Sequence, residues 1–340
     1  MKKTCSPCEK NPRLGKVGGQ AVIEGVMMRS GENLSVSVRA EDGSVQTKDS
    51  KFVSIKQKYK FLGLPIIRGM VAFIESMIMS FSTMNDSVDL LGIEEEETKF
   101  EKWLKKKFGA SILDVLMPVA LFLGVVLALG LFVFLPALAG RGVSYLFGGD
   151  IGVWQSVVEG VVKVVIFVVY MLLVSLMKDI RRTFEYHGAE HKSIFCYESG
   201  EELTVENVKK HSRFHPRCGT SFMFVMIFIG IVLGFFIPFE TVWLRTLCKI
   251  LLLPVTMGFG YEFLMYAGRH DNFLIRALSA PGLWMQRITT KEPDDKQIEV
   301  AIASLRHALP DDFPDREELR LRLEAEAKAA EDVSAQENEA

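Results

Sequence analysis

The sequence predicts an α-helical polytopic membrane protein of about four transmembrane helices, with a small cytoplasmic α+β domain at its amino-terminal end. Three observations lead there. Apolar residues make up 49% of the 340-residue chain, high for a soluble protein, and the excess is concentrated between residues 112 and 267. Short β-like runs with turn signals between them precede that block. Basic residues crowd one connection between apolar segments and are scarce in the others, the asymmetry that orients membrane helices. The formal net charge of −2 gives no ground for a nucleic-acid partner. Five cysteines, a polar start and no cleavable signal peptide argue for thiols or metal ligands over an oxidised extracellular fold.

Residues 1–16 read as a flexible terminus containing Cys5 and Cys8, a single Cys-x-x-Cys pair able to bind metal or cycle as a dithiol. Residues 17–55 form a small β-rich cytoplasmic region. Its runs are Gln20 to Met28, Leu34 to Arg39 and Val45 to Ser54, separated by Gly31-Glu32-Asn33 and Asp42-Gly43. Residues 56–111 begin as an amphipathic helix, lying at the membrane interface or under the membrane domain, with Arg68 and Glu75 as its central charges. They continue as a solvated connector in which Glu94 to Glu97 precede Lys102, Lys105, Lys106 and Lys107.

The membrane domain spans residues 112–267. Four stretches meet the requirement of about 20 helical residues: Ile112 to Leu138, Val157 to Met177, Ser221 to Pro238 and Leu247 to Tyr266. The connection 178–220 carries Lys178, Arg181, Arg182, Lys192, Lys209, Lys210, Arg213 and Arg217, whereas the other two connections carry Arg141 and Arg245. Both termini and the His-rich connection are therefore expected in the cytoplasm, with the spans in the cell's inner membrane. Charges inside spans need a reason. Glu159 and Lys163, at i and i+4, neutralise one another in this reading, and Lys249 snorkels outward. Pro254 is expected to kink the fourth span. Residues 268–309 form a cytoplasmic region with Trp284 as an interfacial anchor and a helix over Ile298 to Leu309. A charged tail fills 310–340.

The chemistry is concentrated in Tyr186-His187-Gly188-Ala189-Glu190-His191-Lys192 and His215-Pro216-Arg217-Cys218-Gly219. Four of the six histidines lie between His187 and His215. On a helix His187 and His191 share a face with Glu190 beside them, the His-x-x-Glu-His arrangement of metal sites. His215 and Cys218 add donors, and such a set suits a divalent ion of tetrahedral habit, zinc first. Glu190 is the candidate base, and Glu262, one turn from the end of the fourth span, is a candidate ligand or partner of a ligand histidine, or else a structural hydrogen-bonding carboxylate. The plainer reading is a structural polar cluster. Arg217 can hold an anionic substrate or headgroup, or simply anchor the positive side. In the amino-terminal region Gln20, Glu24 and Arg29 offer polar groups near Gly18-Gly19. Glu24 is the preferred functional member, against a tight turn with a local Glu24 and Arg29 pair.

Several of these stretches together resemble the bacterial membrane-protein family DUF1385, described as predicted metal-dependent enzymes. They are Gly18 to Arg29, Tyr186 to Lys192, Leu203 to Val208, His215 to Ser221, Tyr261-Glu262 and Pro281 to Asp295, and the likeness runs from Gly18 to about Leu309. It implies a membrane location and a metal, and no substrate. Two functions follow as expectations. One is a membrane-bound metal-dependent hydrolase at the cytoplasmic face. The other is a non-catalytic scaffold serving a membrane-protein complex in biogenesis or quality control. Ion transport is the weaker idea, because the spans offer few polar groups.

Overall fold

The computed structural model describes residues 12–92, 112–149, 151–152, 154–239, 241–267 and 272–315. The Cys5 and Cys8 pair, the Glu and Lys runs of the connector and the tail beyond 315 lie outside the described residues. Strands β1 (Gly18–Val22), β2 (Gly25–Ser30), β3 (Asn33–Arg39) and β4 (Val45–Lys51) form an antiparallel meander in the order β1-β2-β3-β4. The run from Gln20 to Met28, expected as one strand, is two. The chain reverses so that Val22 pairs with Gly25, and Glu24 takes φ 50. A left-handed non-glycine residue costs about 1–2 kcal/mol, so the turn has no local sequence signal. It is held by tertiary bonds, among them Arg39 N–H donating to the Glu24 carbonyl at 2.9 Å.

Both faces of the sheet are covered. Met27, Leu34, Val36 and Val38 bury against Met79, Met84 and Leu90 of α1 (Ile67–Leu91). Val26 and Met28 point the other way, into a core with Tyr186, Ile194, Tyr197, Ile298 and Leu305. Alternate residues of one strand thus serve two cores, each fully buried large side chain contributing about 1.5–3 kcal/mol. The second core is built by α5 (Lys178–Ser199) and α10 (Asp295–Ala308). The latter starts on a capping box in which Asp294 accepts from Gln297 N–H and Gln297 accepts from Asp294 N–H.

The His-rich connection is largely helical. α5 has 22 residues and ends at Gly200, φ 80, and α6 (Val205–Lys210) follows, its N-cap Thr204 accepting from Asn207 N–H. Tyr186, Glu190, Ile194 and Tyr197 mark the buried stripe of α5, a 3.6-residue period that the surrounding Lys and Arg obscure.

The apolar part contains α2 (Ile112–Leu129), a π-helical turn at Gly130–Phe134, α3 (Leu135–Leu146), α4 (Trp154–Val174), α7 (Gly219–Gly234), α8 (Val242–Ala267) and α9 (Phe273–Thr289). Among the described residues three helices are long and apolar enough to cross a bilayer: Val119–Leu146, Trp154–Val174 and Val242–Ala267. The expected third span, Ser221 to Pro238, is shorter as a helix: α7 has 16 residues and ends at Gly234. At 1.5 Å per residue this covers about 24 Å, against a core of about 30 Å.

The charges inside these helices also differ from expectation. Glu159 is 2% exposed. It pairs with Arg245 at 2.8 Å and with Lys249, which points inward instead of snorkelling. The expected ion pair with Lys163 is replaced by these two. Glu262 takes a bidentate pair from Arg68 at 2.6 and 2.5 Å, which fixes the start of α1 against α8.

Candidate metal centre

The metal-type donors gather on one face of α5 and at the entrance to α7. Ligand atoms of His187, His191 and Cys218 all lie within 4.8 Å of one another. The two imidazoles sit 4.4 Å apart centroid to centroid, and Cys218 Sγ is 3.3 Å from His187 Nε2. Each ring is oriented from outside. His187 Nδ1 is 2.9 Å from the Thr289 carbonyl, and His191 Nδ1 is 2.5 Å from the Arg213 carbonyl. Carbonyls only accept, so both rings carry the proton on Nδ1 and present a lone pair at Nε2. This arrangement of donor rings locked by carbonyl partners is that of metal-ligating histidines.

The donor set fits a zinc-type ion. Tetrahedral bonds of about 2.0–2.1 Å to nitrogen and 2.3 Å to sulfur place N and S about 3.5 Å apart, close to the 3.3 Å between His187 Nε2 and Cys218 Sγ. Two imidazoles and one thiolate also leave a fourth position open.

Glu190 stands beside this cluster, 5% exposed, with Oε2 3.8 Å from His187 Nε2. Burial pushes its carboxyl up to about 7, only partly opposed by His187. β1 closes over it. A Cβ on Gly19 would come within 2.8 Å of Glu190 Cγ, so only glycine lets the strand approach this far. The resulting cavity, of about 480 Å³, is lined by Gly18, Gly19, His187, Glu190, His191 and Cys218 among others. The amino-terminal Gly-rich stretch therefore reaches the His-rich helix through its glycines. Gly188 has a comparable reason: a Cβ there would stand 2.0 Å from the Lys291 carbonyl oxygen.

Of the other expected members, His215, Arg217 and Gln20 also line this cavity, whereas Glu24, Arg29 and Glu262 do not. His215 packs next to His191, with centroids 5.4 Å apart, but its Nε2 faces Glu198 at 3.9 Å and its Nδ1 accepts from Arg217 N–H at 3.3 Å. Burial lowers its pKa. Arg217 binds Glu198 and lines the same cavity as the donors. Burial of Glu198 opposes its charge. Hydrogen bonds from Arg217 and Gly15 N–H, with the His215 ring close by, outweigh this and hold its carboxyl down to about 2. Glu24 binds Arg182 and, at 3.3 Å, accepts from Tyr186 O–H, tying the β1–β2 turn to α5. Glu262 remains with Arg68. Gln20 accepts from Ser80 O–H at 2.5 Å, and Arg29 lies over Phe52.

Two contributors went unassigned from sequence. Glu198 falls on the α5 face of His187 and His191, seven residues beyond the latter, and helical spacing alone points to it. Gln286 is fully buried. It accepts from His215 N–H and donates to the His215 carbonyl, both at 2.7 Å; no local pattern announces that. A second grouping, Cys196, Glu201 and His211, is also close enough to share an ion. Burial pushes its thiol up to about 11, and the S–H donates to the Glu202 carbonyl at 3.5 Å, so the thiolate is disfavoured there.

Residues 64–311 match the family described as "Protein of unknown function (DUF1385)". The chain is 33% identical over 299 residues to "Uncharacterized protein YqhQ" of Bacillus subtilis (strain 168), an alignment covering 86% of this chain and 92% of that protein. No solved structure matches the chain. Matched over most of its length by the family and by this relative, the chain belongs to the DUF1385 family.

Proposed function

We propose that the protein is a membrane-bound, metal-dependent hydrolase of the cytoplasmic face, with His187, His191 and Cys218 as the residues that hold a divalent ion, zinc by preference. The observation that carries this is the pairing of three convergent donors with a buried carboxyl beside them, Glu190, in the same cavity. A carboxyl so placed is in position for general acid–base work on water in that cavity. When bound, such an ion supplies Lewis acidity toward a carbonyl or phosphoryl group and acidifies water. The chain's own residues do the rest. Glu190 takes a proton from water in the cavity and returns it to the leaving group. Thr289 and Arg213 carbonyls keep both imidazoles oriented, and β1 limits access of bulk water. The positive-inside pattern assigns both termini and this centre to the cytoplasm, with the apolar helices in the inner membrane.

A second reading has its own observation. Glu190 Oε2 lies 3.8 Å from His187 Nε2, outside the cluster of mutually close donor atoms but next to it; a side-chain rotation that brought it in would make a fourth donor, and a closed four-donor site is structural. The protein would then be a scaffold within a membrane-protein complex.

Elemental mass spectrometry on detergent-purified protein separates the two. The hydrolase predicts near-stoichiometric metal in wild type, lost in His187→Ala and His191→Ala, weakened in Cys218→Ala and kept in Glu190→Gln. Loss in Glu190→Gln as well supports the closed site. Wild type prepared without chelators and free of metal overturns both metal readings.

A further inference from the structure

A second cavity, of about 440 Å³, lies among the apolar helices. That volume is within the range of about 300–1,000 Å³ typical of ligand sites. Its walls come from α4, α7 and α8, from Phe73 of α1, and from Phe132 and Val133 of the π-helical turn. A π turn within an α-helix is frequent at functional sites. Here Pro136, within the first two residues of α3, has no N–H to continue the regular ladder, and Leu135 N–H bonds back to Gly130. The turn bends side chains into the cavity.

The lining is aromatic and aliphatic apart from Thr256 and two lysines, Lys163 and Lys249. Glu159 pairs with Arg245 and Lys249, and Arg245 also donates to Ser156 at 2.7 Å. Among the described residues, Lys249 thus shares the Glu159 carboxylate with Arg245, and Lys163 has none of its own. Lys163 stands nine residues from Trp154 on α4, about 14 Å along the helix. Ionisable groups inside membrane helices turn to the bundle interior or a cavity and often mark a functional site.

We infer that this cavity binds an anionic membrane lipid, its charged group against Lys163 and Lys249 and its chain along the apolar wall. A small hydrated anion is a poor occupant, because Phe167, Met226, Leu252 and their neighbours give nothing in exchange for its water. An amphiphile satisfies both halves of the lining. The inference rests on reading the apolar helices as membrane spans, and it is independent of the metal centre.

Native mass spectrometry of the full chain in neutral detergent, titrated with phosphatidylglycerol, phosphatidylcholine and inorganic phosphate, tests it. Wild type is expected to bind phosphatidylglycerol about tenfold better than phosphatidylcholine, with no binding of phosphate alone. The preference should vanish in Lys163→Met/Lys249→Met and persist in Lys178→Met, which removes an exposed cation outside the cavity. If the double variant misfolds, Lys163→Met alone serves, since it breaks no described ion pair. An unchanged preference in these variants, equal binding of the two lipids, or phosphate binding as well as phosphatidylglycerol overturns the proposal. Alkaline carbonate extraction is run beside it. Release of the wild type from membranes overturns the membrane reading and the lipid site together, whereas retention without lipid preference overturns the site alone.

Discussion

Glu198 and Gly188 each contribute to the candidate centre without being a metal donor. The Glu198 carboxyl is held at about 2 in the folded protein, below its ordinary value of 4.5. A depressed carboxylate stabilises the fold fully above the unfolded value, and the contribution disappears as pH falls from about 4.5 toward 2, up to about 3 kcal/mol in all. Glu198→Gln should therefore lower the unfolding free energy at pH 7 and flatten its fall below pH 4.5, measured by denaturant titration across pH. At Gly188 helix propensity favours alanine by about 1 kcal/mol. The Lys291 carbonyl, 2.0 Å from any Cβ, reverses the sign. Gly188→Ala should destabilise by roughly 1–3 kcal/mol, read as a lower thermal midpoint by circular dichroism. Bound metal should fall with it, because the displaced segment includes Thr289, the partner of His187. The donors themselves were legible, since His187, Glu190 and His191 follow helical spacing and Cys218 lies close by in sequence. Their orienting groups were not, because a backbone carbonyl has no letter of its own.

Elements show the same division between local and distant causes. α10 is legible in its apolar spacing over Ile298 to Leu309, and its true start lies at the capping box, where Asp294 and Gln297 satisfy each other's N–H groups. Asp294→Ala should lower stability by about 1 kcal/mol, detectable as a shifted urea midpoint with unchanged slope. The β1–β2 turn could not be read, because its left-handed residue is Glu24, kept there by Arg39, Arg182 and Tyr186. α5 was hidden by its own charge. Eleven of its residues are buried, and Glu190, Lys192 and Glu198 are among them, so a hydropathy count sees a loop where tertiary partners make a core helix. α7 erred the other way, its apolar letters running past a helix that stops at Gly234.

On the scale of the whole molecule, the sequence distinguished an apolar block from a mixed α+β part, but not how the two interlock. α1 joins them, one end tied to α8 through Arg68 and Glu262 and the other buried on the sheet. A topology with both termini cytoplasmic predicts that a cysteine at Lys178 reacts with an impermeant maleimide only after permeabilisation. A cysteine at Phe239 should react in intact cells, with wild type as the control for native thiols; the opposite pattern overturns that orientation. The centre also draws on segments far apart along the chain. His187 is oriented by a carbonyl 102 residues later, and His215 is clasped by Gln286, 71 residues on. A ribosome making this protein therefore releases both candidate His donors and the thiol well before Thr289, the group that aims His187. The geometry of the candidate centre is thus completed late in synthesis, and a nascent chain stopped before Thr289 holds the donors without the carbonyl that fixes the His187 tautomer.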